Sequence, residues 1–213
     1  MTFKPDPFAK QLIQCEDLYS DKDRVNLKNN IMESFVSEKE LQKGIIMDMA
    51  HRVVLLPNGK TSLREIAYHS GAAAVVPVDS KGYVTLVYQH RCVIGKVTLE
   101  IPAGKMDSDD EDPKVCAIRE LEEETGLKAD NIELLISMDT TPGFCTEYVA
   151  IYLATGLTQS DVHTDEDEFL GIIKLPLEEA IKRVKRGELT DGKTALGIML
   201  AASKLGVDAS KIE

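Results

Sequence analysis

The sequence is poor in cysteine, short of positive charge and without a long apolar run. Its four cysteines, Cys15, Cys92, Cys116 and Cys145, are scattered with no Cys-x-x-Cys pair, so they read as free thiols of a reducing, cytoplasmic compartment. No stretch approaches the ~20 apolar residues of a membrane span, and the opening MTFKPDPFAKQL lacks the apolar centre of a signal peptide. Lysine and arginine number 25 against 36 aspartates and glutamates, a net charge of −11. That balance argues against a nucleic-acid or anionic-membrane surface. It leaves room for a small anionic substrate, because a bound metal ion reverses the local field. There are no internal repeats and no low-complexity segment. At 213 residues and 43% hydrophobic content, the chain has material for one good-sized domain and a smaller appended one.

The chemistry concentrates in Ile101–Leu127, IPAGKMDSDDEDPKVCAIRELEEETGL. Asp112 is placed to cap a helix, Pro113 suits its first position, and Gly126 with Leu127 suits its end. Val115, Ala117, Ile118 and Leu121 predict the apolar stripe of that helix. Glu120, Glu122, Glu123 and Glu124 crowd its last turn, where the macrodipole favours cations. Two carboxylates ~5 Å apart near a surface repel by roughly 3 kcal/mol before screening, and a divalent cation would offset that. Oxygen donors without histidine or cysteine favour Mg²⁺, with Mn²⁺ as a substitute, over zinc. The alternative is an acidic helix end that is simply solvated.

The same stretch resembles the Nudix box, Gly-x5-Glu-x7-Arg-Glu-U-x-Glu-Glu-x-Gly-U, where U is aliphatic. Arg119, Glu120, Leu121, Glu123, Glu124, Gly126 and Leu127 match its second half, and Glu111 lies eight residues before Arg119. Gly104 matches the opening glycine, but six residues separate it from Glu111 where the pattern has five. The extra residue falls in the loop Lys105–Asp110. The resemblance implies that Glu120, Glu123, Glu124 and the Ala103 carbonyl bind metal and that Arg119 pairs with Glu111.

The residues from Met1 to about Gly44 are polar and mixed, with candidate helices at Phe8–Leu18 and Val25–Leu41. Ile45–Leu56 and Thr61–Tyr68 read as strands around the turn Pro57-Asn58-Gly59-Lys60. Further strands are expected at Ala72–Val78, Tyr83–Gln89, Lys96–Ile101, Ile132–Met138, Val149–Thr155 and Phe169–Leu175. Helices are expected from Pro176 to Arg186 and from Thr194 to Leu205, the latter capped by Asp191. This order implies an α/β protein with the Nudix fold, an α/β/α sandwich around a mixed sheet, preceded by a small N-terminal β-hairpin subdomain. The division is drawn as residues 1–68 and 69–213.

The phrase GAAAVVPVDSKGYVTLVYQHR, continued by LEIPAGK, is similar to the ADP-ribose pyrophosphatase branch of that family. The similarity implies substrate contacts for Arg91, at the phosphates, for Glu100, at the adenine or ribose, and for Glu147. Pro142 stands 15 residues after Leu127, the place of a proline in the ADP-ribose class. The acidic run Thr164–Glu168 matches a loop that supplies a general base or further ligand, with Glu166 and Glu168 as candidates. The hairpin resembles the strands that such enzymes exchange across a homodimer. Together these imply metal-dependent hydrolysis of ADP-ribose to AMP and ribose 5-phosphate. Another nucleotide sugar or a dinucleotide as substrate, or a non-catalytic nucleotide sensor, are the competing readings.

Overall fold

The computed structural model describes residues 31–108, 110–160 and 169–212. The candidate helix Phe8–Leu18 and the candidate bases Glu166 and Glu168 lie outside the described residues. The chain forms two compact units. One holds the described residues up to Gly71 together with Asp139–Tyr148, and the other holds Ala72–Met138 and the described residues from Val149 onward.

The first unit is a three-stranded antiparallel sheet of β1 (Ser34–Gln42), β2 (Asp48–Leu55) and β3 (Thr61–Tyr68), in that order. Strand β1 corrects the expected helix Val25–Leu41 over residues 34–41, and residues 25–30 of that helix lie outside the described residues. Helical spacing of Phe35 with its neighbours is a local signal, and partners distant in sequence outweigh it. Glu38 lies opposite Arg52 in the register and accepts from Arg52 Nε at 2.7 Å and from the Tyr68 hydroxyl at 2.8 Å. Gly59, at φ 80°, closes the tight turn between β2 and β3 as its sequence indicates. The segment Asp139–Tyr148 joins this unit through backbone bonds from Ala67 to Phe144 and from Thr146 to Ala67. The first unit thus takes in Asp139–Tyr148 as well as the described residues up to Gly71.

In the second unit, β4 (Ala72–Pro77) sits between β7 (Ala103–Lys105), antiparallel, and β9 (Tyr148–Gln159), parallel, with β8 (Leu127–Asp139) beyond β9. A second, antiparallel sheet has the order β10 (Gly171–Pro176), β5 (Tyr83–Arg91), β6 (Lys96–Glu100). The run Ala-Ala-Ala-Val-Val on β4 is apolar throughout because both its faces are covered. Alternate residues point to opposite faces. Val75 packs with Leu121 of helix α1 (Pro113–Thr125) and with Leu127 and Ala154. Ala74 and Val76 pack on the other side with Ile181 of α2 (Leu177–Lys185) and Ile198, Ala201 and Ala202 of α3 (Gly192–Lys204). Helices thus cover both faces of a mixed sheet, the α/β/α arrangement expected. Strands β8 and β9 run longer than their apolar centres predicted. Among the described residues no helix is long and apolar enough to cross a membrane.

Candidate active site

Helix α1 begins where the sequence indicates. Asp112 accepts from the Lys114 amide at 2.8 Å, and Pro113 follows in the first turn. The helix ends at Gly126, which takes φ 64° and donates its N–H to the Glu122 carbonyl at 2.8 Å. A side chain there would be strained, so the glycine is a backbone requirement.

The buried face keeps Ala117 and Leu121 of the predicted stripe but not Val115 and Ile118. Val115 and Ile118 are 56% and 44% exposed, whereas Cys116, Ala117, Glu120, Leu121 and Glu124 are buried. The packed face therefore carries two carboxylates one turn apart, Glu120 at 7% and Glu124 at 2% exposure. Buried carboxylates need partners that repay lost hydration. Glu124 Oε2 accepts from the Ala103 amide at 3.1 Å, which ties α1 to β7. Glu120 lies so close to Gly104 that a Cβ at that position would land on its carboxylate. The opening glycine of the motif is thus explained by close approach rather than by a turn.

Arg119 gathers the remaining acids. Its Nη1 donates to Glu120 Oε1 at 2.6 Å and to Glu123 Oε2 at 3.1 Å, and its Nη2 donates to the Lys105 carbonyl at 3.2 Å. Its Nε faces Glu111 and Asp107 at 3.5 and 3.4 Å. Burial alone would lower the affinity of the guanidinium for its proton, but the charge of Glu120, with Glu123 and Asp107, raises it instead. Glu111 accepts from the Asp107 amide at 2.7 Å and so closes the lengthened loop upon itself. Cys116, which the sequence did not single out, points its thiol at the Gly104 and Lys105 carbonyls at 3.6 and 3.7 Å. Burial, and then the nearby Glu120 charge, push that thiol up to about 12, so it stays protonated and acts as a donor.

A second charged group adjoins this one in sequence. Glu100 on β6 is 2% exposed. It accepts from Arg91 Nε at 2.8 Å and Nη2 at 2.7 Å, from the Thr98 hydroxyl at 2.5 Å, and from Lys193 of α3. Burial would raise its pKa, but Arg91, Lys193 and Thr98 together bring it down to about 2. Arg91 is held above its ordinary range, first by Glu100 and more weakly by Asp191 and Glu124. Lys193 and Thr194 were missed by the sequence reading, since nothing local marks them as partners of residues 93 positions away.

The structure therefore groups Arg91, Glu100, Ala103, Gly104, Glu111, Arg119, Glu120, Glu123, Glu124 and Gly126 within the second unit. Glu147 belongs to the first unit, where it accepts from the Thr140 hydroxyl at 2.7 Å and lies 3.9 Å from His69 Nε2. Among the described residues no three carboxylate, imidazole or thiol side chains converge on one point. Arg119 is the cation that bridges Glu120 and Glu123 in this arrangement. The donor set, three carboxylates beside main-chain oxygens, nonetheless has the chemistry a hard divalent cation requires.

A family model for the NUDIX domain matches residues 67–195. The chain belongs to the Nudix family. The methanol dehydrogenase activator of Bacillus methanolicus is 40% identical over 168 residues, which cover 78% of this chain and 90% of that protein. The ADP-ribose pyrophosphatase of Bacillus subtilis (strain 168) is 38% identical over 184 residues, 85% of this chain and 99% of its own. A crystal structure of an ADP compounds hydrolase superposes with a TM-score of 0.72 over 83% of this chain and 97% of its own, at 17% identity. This last likeness concerns the Nudix fold, which the α/β/α sandwich of the second unit adopts. The chain is a Nudix pyrophosphohydrolase, and the enzymes of this family generally use a divalent metal ion.

Proposed function

We propose that the enzyme hydrolyses ADP-ribose to AMP and ribose 5-phosphate, with Mg²⁺ as cofactor and Mn²⁺ as a substitute. The observation that carries this reading is the burial of Glu120 and Glu124 on the face of α1 that meets Ala103 and Gly104. Ordinary helix packing would place apolar side chains there. The 38% identity to an ADP-ribose pyrophosphatase over most of both chains supports the choice of substrate.

Glu120, Glu123, Glu124 and the Ala103 carbonyl would hold the cation. When bound, it supplies Lewis acidity towards the diphosphate oxygens. The rest of the work falls to the chain itself. Arg91 has two of its nitrogens committed to Glu100, so its guanidinium plane is fixed and its remaining edge is left for a phosphate oxygen. Glu100 then acts by orienting Arg91. A carboxylate takes the proton from the attacking water, and Glu120, Glu123, Glu124, Glu166 and Glu168 are the candidates. Glu147 is a further candidate substrate contact. Arg119 holds Glu111 and the box carboxylates in register.

The reading extends to a cytoplasmic homodimer. All nine residues of β1 are exposed, and Phe35, Val36, Leu41, Ile45 and Ile46 present apolar surface around it. A patch of this kind on one sheet is the mark of an interaction site. Cys92, Cys116 and Cys145 are free thiols, in keeping with a reducing compartment.

The test is AMP release from ADP-ribose with Mg²⁺ and with EDTA, beside nucleotide sugars and dinucleotides. EDTA-sensitive turnover selective for ADP-ribose is the expected result. Turnover only of another diphosphate would overturn the substrate, and nucleotide binding without any turnover would overturn catalysis in favour of a sensor.

A further inference from the structure

Four consecutive residues, Glu100 to Ala103, are each held by a different partner. The Glu100 side chain is gripped by Arg91, Thr98 and Lys193. The Ile101 amide donates to Thr194 Oγ1 at 2.9 Å. The Pro102 carbonyl accepts from the Val75 amide at 2.9 Å. The Ala103 amide donates to Glu124 at 3.1 Å. Two of these holds come from the first turn of α3. Thr194 is fully buried, and its hydroxyl donates onward to Asp191 Oδ2 at 2.6 Å. Asp191 also accepts from the Thr194 amide at 3.0 Å and from Lys193 at 3.1 Å. The helix cap, the buried hydroxyl and the lysine are thus one hydrogen-bonded unit.

A cap needs only the Asp191 carboxylate and the Thr194 amide. The Thr194 hydroxyl and the Lys193 ammonium go further, since they reach across to β6 and its exit. We infer that Lys193 and Thr194 are positioning residues of the pyrophosphatase reaction. The first turn of α3 acts as a latch that fixes the Glu100–Ala103 corner and with it the placement of Ala103 against Glu124. This inference rests on the box being the metal-dependent active site. Misplacement of a catalytic group by a fraction of a bond length lowers rate without removing any substrate contact.

The test compares Thr194→Val, which keeps shape and removes the hydroxyl, with Thr194→Ser, which keeps the hydroxyl. Two readouts are taken on folded protein, verified by circular dichroism: kcat and KM with ADP-ribose, and Mn²⁺ binding to the substrate-free enzyme by calorimetry. In Thr194→Val, kcat falls about tenfold or more with KM within about twofold of wild type, as expected for a lost alignment rather than a lost contact. Mn²⁺ binding weakens in the same variant, and Thr194→Ser restores both. A Thr194→Val protein that melts earlier but keeps wild-type kcat and Mn²⁺ affinity would overturn the inference. If Thr194→Val does not fold, Lys193→Met, which removes only the outer hold, takes its place, and unchanged kcat and Mn²⁺ affinity there overturn it equally. Failure of the wild-type enzyme to cleave ADP-ribose would refute the substrate alone, because Mn²⁺ binding still reports on the latch.

Discussion

Glu100→Gln is the perturbation whose size follows most directly from the structure. The Glu100 carboxylate is almost wholly removed from water and has a pKa near 2, against an ordinary value of 4.5. A folded pKa below the unfolded one means that the ionised form stabilises the fold. That contribution is complete above pH 4.5 and is lost as pH falls through about 2. A difference of this size is worth about 3 kcal/mol at pH 7 and about 1 kcal/mol at pH 3, at roughly 1.4 kcal/mol per unit. Glutamine keeps the shape and one acceptor but leaves Arg91 and Lys193 without their shared anion. The assay is urea unfolding of both proteins from pH 7 down to pH 3. The expected result is a stability gap of about 3 kcal/mol that holds from neutral pH to about pH 5 and narrows below it. A gap that stays constant across this range would refute the reasoning, since it would assign the loss to packing rather than to charge.

Gly104→Ala places a methyl group on the Glu120 carboxylate, which sits at the end of a flexible chain and is able to swing aside. Activity should therefore fall by about a hundredfold while stability changes by less than about 1 kcal/mol, checked by steady-state kinetics and thermal melting. Glu120→Gln should abolish EDTA-sensitive turnover yet leave nucleotide binding measurable by calorimetry. Removing the helix cap with Asp112→Ala should cost about 1 kcal/mol of stability in urea, with KM unchanged. In sedimentation velocity, charge placed on β1 by Phe35→Glu should convert a dimer into a monomer.

The second unit was largely legible because its signals are local. The Asp112-Pro113 start and the Gly126 stop of α1 depend on neighbours in sequence, and so do the apolar runs of β4 and β9. A metal-binding role for Glu120 and Glu124 came only through the motif, for an acidic helix face by itself reads as solvated, and their burial was not anticipated. The apolar stripe misled because Val115 and Ile118 face outward while carboxylates face inward. Strand β1 was misread for a different reason: its partners Arg52 and Tyr68 lie in the next two strands, beyond any helical window. The roles of Lys193 and Thr194 depend on contacts across 93 residues, which no spacing rule anticipates. Glu100 read as a substrate contact, yet the partners around it show why a buried carboxylate there is first a question of charge balance.

The first unit is discontinuous. Ala67 and His69 take hydrogen-bond partners from Phe144 and Thr146, and the His69–Thr146 pair is 77 residues apart. During synthesis, β3 leaves the ribosome long before the segment that completes its edge. The hairpin must then wait, with unpaired backbone, while β4, α1 and β8 emerge. A fragment ending at Gly71 would lack that edge for good, so the first unit cannot be obtained by cutting the chain once.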